Sequence, residues 1–313
     1  MKKKLLFMVM IITIVGILLS SCRGSEKSDK IVVGATTYKM SEFMVLMKEG
    51  IDAEIRDQNA ELVWLSAEFD SNKQIEQVEN LIAQKVDVII LIACDSDALV
   101  PAIAMCRDAN IPLVAANVQL YANEEYYYVG PNDIQAGELE AQYLVDVMGD
   151  TGNIVILQCV LGTSFEAERS QGNYSVLSKY PNIRVLAADA ADGERHKAIG
   201  LMENWMTAFG KIDGVIAQND DMALGAIQAL HAAGYTNVPV VGIDAIKDAL
   251  LSIKNGEMTM TVYQDGIKEG RDSVALALNL VRGIEPAKKM NLIEMTVVDK
   301  SNVDEILAVA FGQ

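Results

Sequence analysis

Short apolar runs alternate with helical patterns from Ile31 to the end of the chain. Residues 31–35, 62–65, 86–93, 112–116 and 126–129 read as strands. Uninterrupted apolar runs of this length suit strands buried on both faces of a parallel sheet. Between them, 42–57 reads as a helix with Phe43, Leu46, Met47, Gly50 and Ile51 on one face. A second helix, 72–84, has Asp70 or Ser71 as its cap, and a third runs through Cys106. A second round follows, with strands at 153–157, 183–187, 213–217, 238–243 and 258–263 and a short one at 295–298. Its helices are 133–148, 166–180, 194–208, 220–232, 245–254 and 266–282. The alternation predicts βαβ units and an α/β fold. Two sets of about five units are too many for one sheet of usual size and suit two similar lobes. No Pro/Gly-rich linker separates the halves, so strand-like crossings are expected to join them.

In open α/β sheets, ligands bind outside the carboxyl ends of the strands. Here those ends are polar: the 37–43 segment after the first strand, Asn117, Arg169 in the helix after Leu157, Asn219, Asp244 and Gln264. Asn, Asp, Arg and Gln each present two polar atoms in a fixed plane, which suits adjacent hydroxyls on a ring. One Asp and one Arg cancel, so the expected ligand is near neutral. Phe43, Met44 and Phe165 would cover its C–H faces. Taken singly, each polar residue is equally a cap, a turn or a surface group, and an Asn before a helix satisfies free amides in any case. Within 218–221, Asn219 is read as the ligand contact, Asp220 as the helix cap and Asp221 as a first-turn acid.

Catalysis is not expected. The two histidines, His196 and His231, fall inside helical patterns, and Asp220 and Asp221 are adjacent, so they point apart on a helix. The run Gly162-Thr163-Ser164-Phe165 lacks the second glycine of a nucleophile elbow. No phosphate-binding loop, dinucleotide fingerprint or metal-ligand spacing occurs, so no cofactor and no metal is expected. A net charge of −17 argues against nucleic acid.

The first residues read as an export signal: Lys2, Lys3 and Lys4, an apolar stretch 5–19 too short for a comfortable membrane span, then Leu19-Ser20-Ser21-Cys22. Residues 23–30 are polar and unpatterned and read as a tether. Cys94, Cys106 and Cys159 cannot all pair. Cys94 and Cys159 stand by strand ends and read as small buried hydrophobes, with no structural disulfide.

From Ile31 onward the chain resembles the bacterial solute-binding proteins for simple sugars, of the ribose and glucose/galactose type. The most specific matching stretches are Gln218-Asn219-Asp220-Asp221-Met222-Ala223-Leu224-Gly225 and Val241-Gly242-Ile243-Asp244, with 36–44, 157–172 and 259–264 in support. The resemblance implies two Rossmann-like lobes with parallel sheets and a three-crossing hinge, the type I periplasmic binding protein fold. It implies an N-terminal lobe of 31–130 plus 265–291 and a C-terminal lobe of 131–264 plus 292–313, with crossings near 130–131, 264–265 and 291–292. By position it implies ligand contacts from Asn117, Arg169, Asn219, Asp244 and Gln264, with Ser41, Phe43 and Met44 from the first loop. The Leu-Ser-Ser-Cys run resembles a lipobox. That implies 1–22 as a lipoprotein signal peptide, cleaved before Cys22, whose thiol is lipidated. A plain signal peptide or an uncleaved anchor is the alternative.

The expected protein is therefore an extracytoplasmic, lipid-anchored monomer that hands a neutral monosaccharide or a cyclitol such as inositol to an ABC permease. A sensor subunit presenting the sugar to a chemotaxis or signalling receptor is the alternative. The chain departs from both sugar types. Ribose binders carry Asp-Arg where Asn117-Val118 stands, whereas glucose/galactose binders have Asn at that position. The latter place a carboxylate at Phe165 and a Trp near Gly193, and often carry a calcium loop for which 149–153 leaves no room. Phe165 is expected to supply the missing apolar face.

Overall fold

The computed structural model describes residues 30–312. The apolar runs of the first half form one sheet, from β1 (Val32–Thr37), β2 (Glu61–Ser66), β3 (Val88–Ile92), β4 (Leu113–Ala116) and β5 (Tyr127–Pro131). Those of the second half form another, from β6 (Gly152–Gln158), β7 (Ile183–Ala190), β8 (Gly214–Ala217), β9 (Val240–Asp244) and β10 (Met260–Gln264). Late in the chain, β11 (Met290–Ile293) joins the first sheet and β12 (Met295–Val298) the second. The strand orders are β11-β5-β4-β3-β1-β2 and β12-β10-β9-β8-β6-β7. Every pairing is parallel except β12 against β10. All residues of β3, β8 and β9 are buried, as strands covered on both faces require.

The helices are α1 (Glu42–Asp57), α2 (Ser71–Ala83), α3 (Pro101–Asp108), α4 (Asp133–Met148), α5 (Ser164–Leu177), α6 (Arg195–Phe209), α7 (Asp220–Ala232), α8 (Lys247–Asn255), α9 (Gly266–Val281) and α10 (Val303–Phe311). Ser41, Asp70, Asn132, Thr163, Asn219 and Asp265 each cap a helix by accepting from a first-turn amide. Two expectations change. The helix expected at 166–180 starts earlier, because Thr163 caps it, and ends at Leu177. Asn219, not Asp220, caps α7, its Oδ1 accepting from the Met222 amide at 3.0 Å.

The chain passes between the sheets after Pro131, Gln264 and Ile293. The third passage falls later than the expected 291–292, because Leu292 and Ile293 still pair with Gly130 and Pro131 of β5. Helix α9 returns to pack on α1 beside the first sheet, while α4 packs on α5 beside the second. Cys94, Cys106 and Cys159 are buried free thiols. The export signal, Cys22 and the tether up to residue 29 lie outside the described residues. Among those described, no helix is long and apolar enough to cross a membrane.

Candidate functional site

The carboxyl ends of the two sheets face one cavity of about 360 Å³. Eight of the nine residues singled out in the sequence line it. Ser41 and Phe43 come from the start of α1, and Asn117 follows β4. Phe165 and Arg169 stand on α5, Asn219 follows β8, and Asp244 and Gln264 end β9 and β10. Met44 is the exception. It is fully buried in the core, because one step along a helix turns a side chain by about 100°, and Phe43 is the neighbour that faces the cavity.

Arg169 organises the floor. Its Nε donates to Asp133 Oδ1 at 2.8 Å, Nη1 to the Gln218 carbonyl at 2.5 Å and Nη2 to Gln264 Oε1 at 3.3 Å. Those bonds commit three of its five N–H donors and leave two. Burial works against the guanidinium charge, but the surrounding carboxylates, Asp133 foremost, push its pKa up. Gln264 in turn donates to Glu269 Oε2 at 2.9 Å. Burial pushes the Glu269 carboxyl up to about 8, against hydrogen bonds from Gln264 and Asn117. Glu269, in the first turn of α9, thus ties a hinge residue to a residue of the first lobe. In the sequence it is an ordinary first-turn acid, and only the tertiary contact sets it apart.

Asp244 stands at the end of β9, only 7% exposed and at a backbone φ of 125°. Burial raises its carboxyl to about 7, against the pull of Arg169. Asn219 is both cap and wall: while Oδ1 caps α7, Nδ2 donates to the Gly193 carbonyl at 3.3 Å. That still leaves it one N–H and one lone pair. Gly193 lines the cavity at φ 70°. A Cβ there would come within 3.3 Å of Asn219 Nδ2.

The apolar walls are aromatic and come from both lobes. Tyr38 and Phe69 stack with centroids 5.1 Å apart, and Phe165 tilts toward Tyr38 at 6.0 Å. Tyr38 and Phe69 were not singled out in the sequence. Tyr38 sits one residue past β1, inside the segment read as polar, and Phe69 precedes a capping Asp.

The lobes also touch each other directly, at the cavity's mouth and beside it. Lys39 Nζ reaches Glu194 Oε1 across the mouth at 3.2 Å. The Ser96 amide donates to the Gly162 carbonyl at 2.8 Å, and the Gln119 amide to Ser164 Oγ at 2.8 Å.

A family model described as a periplasmic binding protein domain matches residues 31–285. The chain belongs to this family. The membership drawn from the 218–225 and 241–244 stretches therefore holds, and so does the two-lobed fold. Among relatives, the chain is 44% identical to the xylitol-binding protein of Mycolicibacterium smegmatis, over 93% of this chain and 84% of that protein. It is 30% identical to the ribose import binding protein of Escherichia coli K12, over 77% of this chain and 81% of that one. Among solved structures, an ABC transporter solute-binding protein from Bacillus halodurans with bound myo-inositol superposes with a TM-score of 0.86 at 33% identity. That match covers 91% of this chain and 99% of the other. These members of the family are binding proteins, and the last carries its solute as a polyhydroxylated ring.

Proposed function

We propose that the chain is the extracytoplasmic solute-binding component of an ABC importer, taking a neutral cyclitol, monosaccharide or related polyol between its lobes. One observation carries the reading. Planar polar groups from both lobes, Asn117 on one side and Arg169, Asn219, Asp244 and Gln264 on the other, converge on a cavity walled by Tyr38, Phe69 and Phe165. Forked donors and acceptors match vicinal hydroxyls, and aromatic faces match ring C–H groups. Arg169 is already balanced by buried carboxylates, so a charged solute gains no uncompensated partner at the floor. The names of the relatives favour import over the sensor role. No reaction is assigned: His196 is 74% exposed at the rim, and its Nδ1 faces Glu194 Oε2 at 3.3 Å.

A thermal-shift screen with myo-inositol, xylitol, ribose and hexoses tests the ligand class. A solute at a hundred times its dissociation constant adds about 2.7 kcal/mol to stability, so at least one member raises the melting temperature clearly. Silence across the panel removes the class.

The anchor belongs to the same reading. Cys22 would carry the lipid, with 23–30 as the tether. A Cys22→Ala chain expressed in a bacterium should lose incorporation of labelled palmitate and leave the membrane fraction. Undiminished labelling would place the lipid elsewhere.

A further inference from the structure

Asp220 is completely buried, yet it neither caps a helix nor lines the cavity. Its Oδ2 accepts from the Ile246 amide at 3.0 Å, and its Oδ1 accepts from the Thr261 hydroxyl at 2.6 Å. Thr261 Oγ1 accepts in turn from the Ala245 amide at 3.3 Å. Two side chains, from α7 and β10, therefore gather the two backbone amides that follow Asp244.

That stretch of backbone is where such help is needed. Asp244 has φ 125° and Ala245 φ 55°, two successive L residues in the region that favours glycine. Conformations of this kind persist only when the surroundings over-determine them. The strand that leads into Asp244 is cut to fit as well. Gly242 pairs in register with Thr261, and a Cβ on it would lie 2.5 Å from Asp220 Oδ1. The carboxylate occupies the space a side chain at 242 would take.

We propose that Asp220 and Thr261 are positioning residues of the binding site: together they lock the Asp244–Ala245 backbone in its left-handed conformation and so aim the Asp244 carboxyl into the cleft. The inference rests on the reading of Asp244 as a solute contact. It adds the device that makes the contact possible, from two residues that never meet the solute. The carboxylate is suited to the task, since one oxygen holds an amide directly and the other orients a hydroxyl that holds the second.

The test compares Thr261→Val, which keeps the shape and removes the hydroxyl, with Thr261→Ser, which keeps the hydroxyl. Affinity is measured by calorimetry with myo-inositol as the probe, in the whole secreted domain. Thr261→Val is expected to weaken binding by about tenfold or more, with Thr261→Ser restoring most of it. In an Asp244→Asn background, Thr261→Val should cost no further affinity, because it acts only through Asp244. A purely structural defect would lower affinity equally in both backgrounds. Asp220→Ala should match Thr261→Val if it folds; if it does not, Thr261→Val carries the test. Crystals of Thr261→Val supply an arm that needs no solute: Asp244 or Ala245 is expected to leave positive φ. Retention of both angles there overturns the inference. So does an unchanged affinity of Thr261→Val where Asp244→Asn binds weakly. If Asp244→Asn itself binds myo-inositol as the parent does, the reading of the contact has failed instead.

Discussion

Asp244→Ala should weaken solute binding by about 3 kcal/mol, a loss of more than a hundredfold. The substitution removes a buried acceptor and leaves the solute hydroxyls that faced it without that partner. Stability should move little or improve. Burial has already raised this carboxyl to about 7, so its charge is a burden to the folded state near neutral pH. Calorimetry with the solute identified in the screen and a melting curve separate the two effects. Unchanged affinity would remove Asp244 from the contact set.

Arg169→Met should do the reverse, costing stability first. Among the described residues, the buried charged side chains are Asp133, Glu140, Glu166, Asp220, Asp244 and Glu269, with Arg169 as the single cation. Its loss strands Asp133, whose other oxygen has no protein partner. Removing one partner of such a pair costs about 3–5 kcal/mol. Denaturant unfolding measures it, and a loss below about 1 kcal/mol would contradict the central role given to this side chain. Adding Asp133→Asn should recover part of the deficit.

The pH dependence of that deficit has a definite sign. Burial raises Glu140 and Glu269 to about 8 from an ordinary 4.5, against their hydrogen bonds from Asn173 and from Gln264 and Asn117. A raised carboxyl pKa in the folded state gives stability that is full below the unfolded value and lost as pH rises through the folded one. Arg169 opposes that loss in both groups. The variant should therefore compare worse with the parent at pH 8 than at pH 5.

The rhythm of strands and helices was legible because parallel strands under two layers of helix must be apolar throughout, and β3, β8 and β9 are. The rim was legible for a topological reason: polar residues at strand ends converge whatever their spacing in the chain. Where local rules ran out, a third dimension was needed. Phe43 and Met44 differ only in which way the first turn of α1 presents them. From sequence Asp220 reads as a helix cap and Glu269 as a routine first-turn acid, and their partners lie on other elements, at Thr261 and Ile246 for one and Gln264 for the other. The strand β11 escaped notice because three of its four residues are at least partly exposed, which leaves no apolar run to read.

The late arrival of β11 and β12 bears on when the protein can fold. The first sheet is completed by Met290–Ile293 and the second by Met295–Val298. Helix α9, which packs against α1, is made only after the whole of β6–β10. Neither lobe can therefore finish on the ribosome while most of the chain is still to come. Pairings this distant in sequence form slowly, since loop closure must precede the contacts that reward it. A chain built this way keeps both sheets incomplete until β11 and β12 emerge.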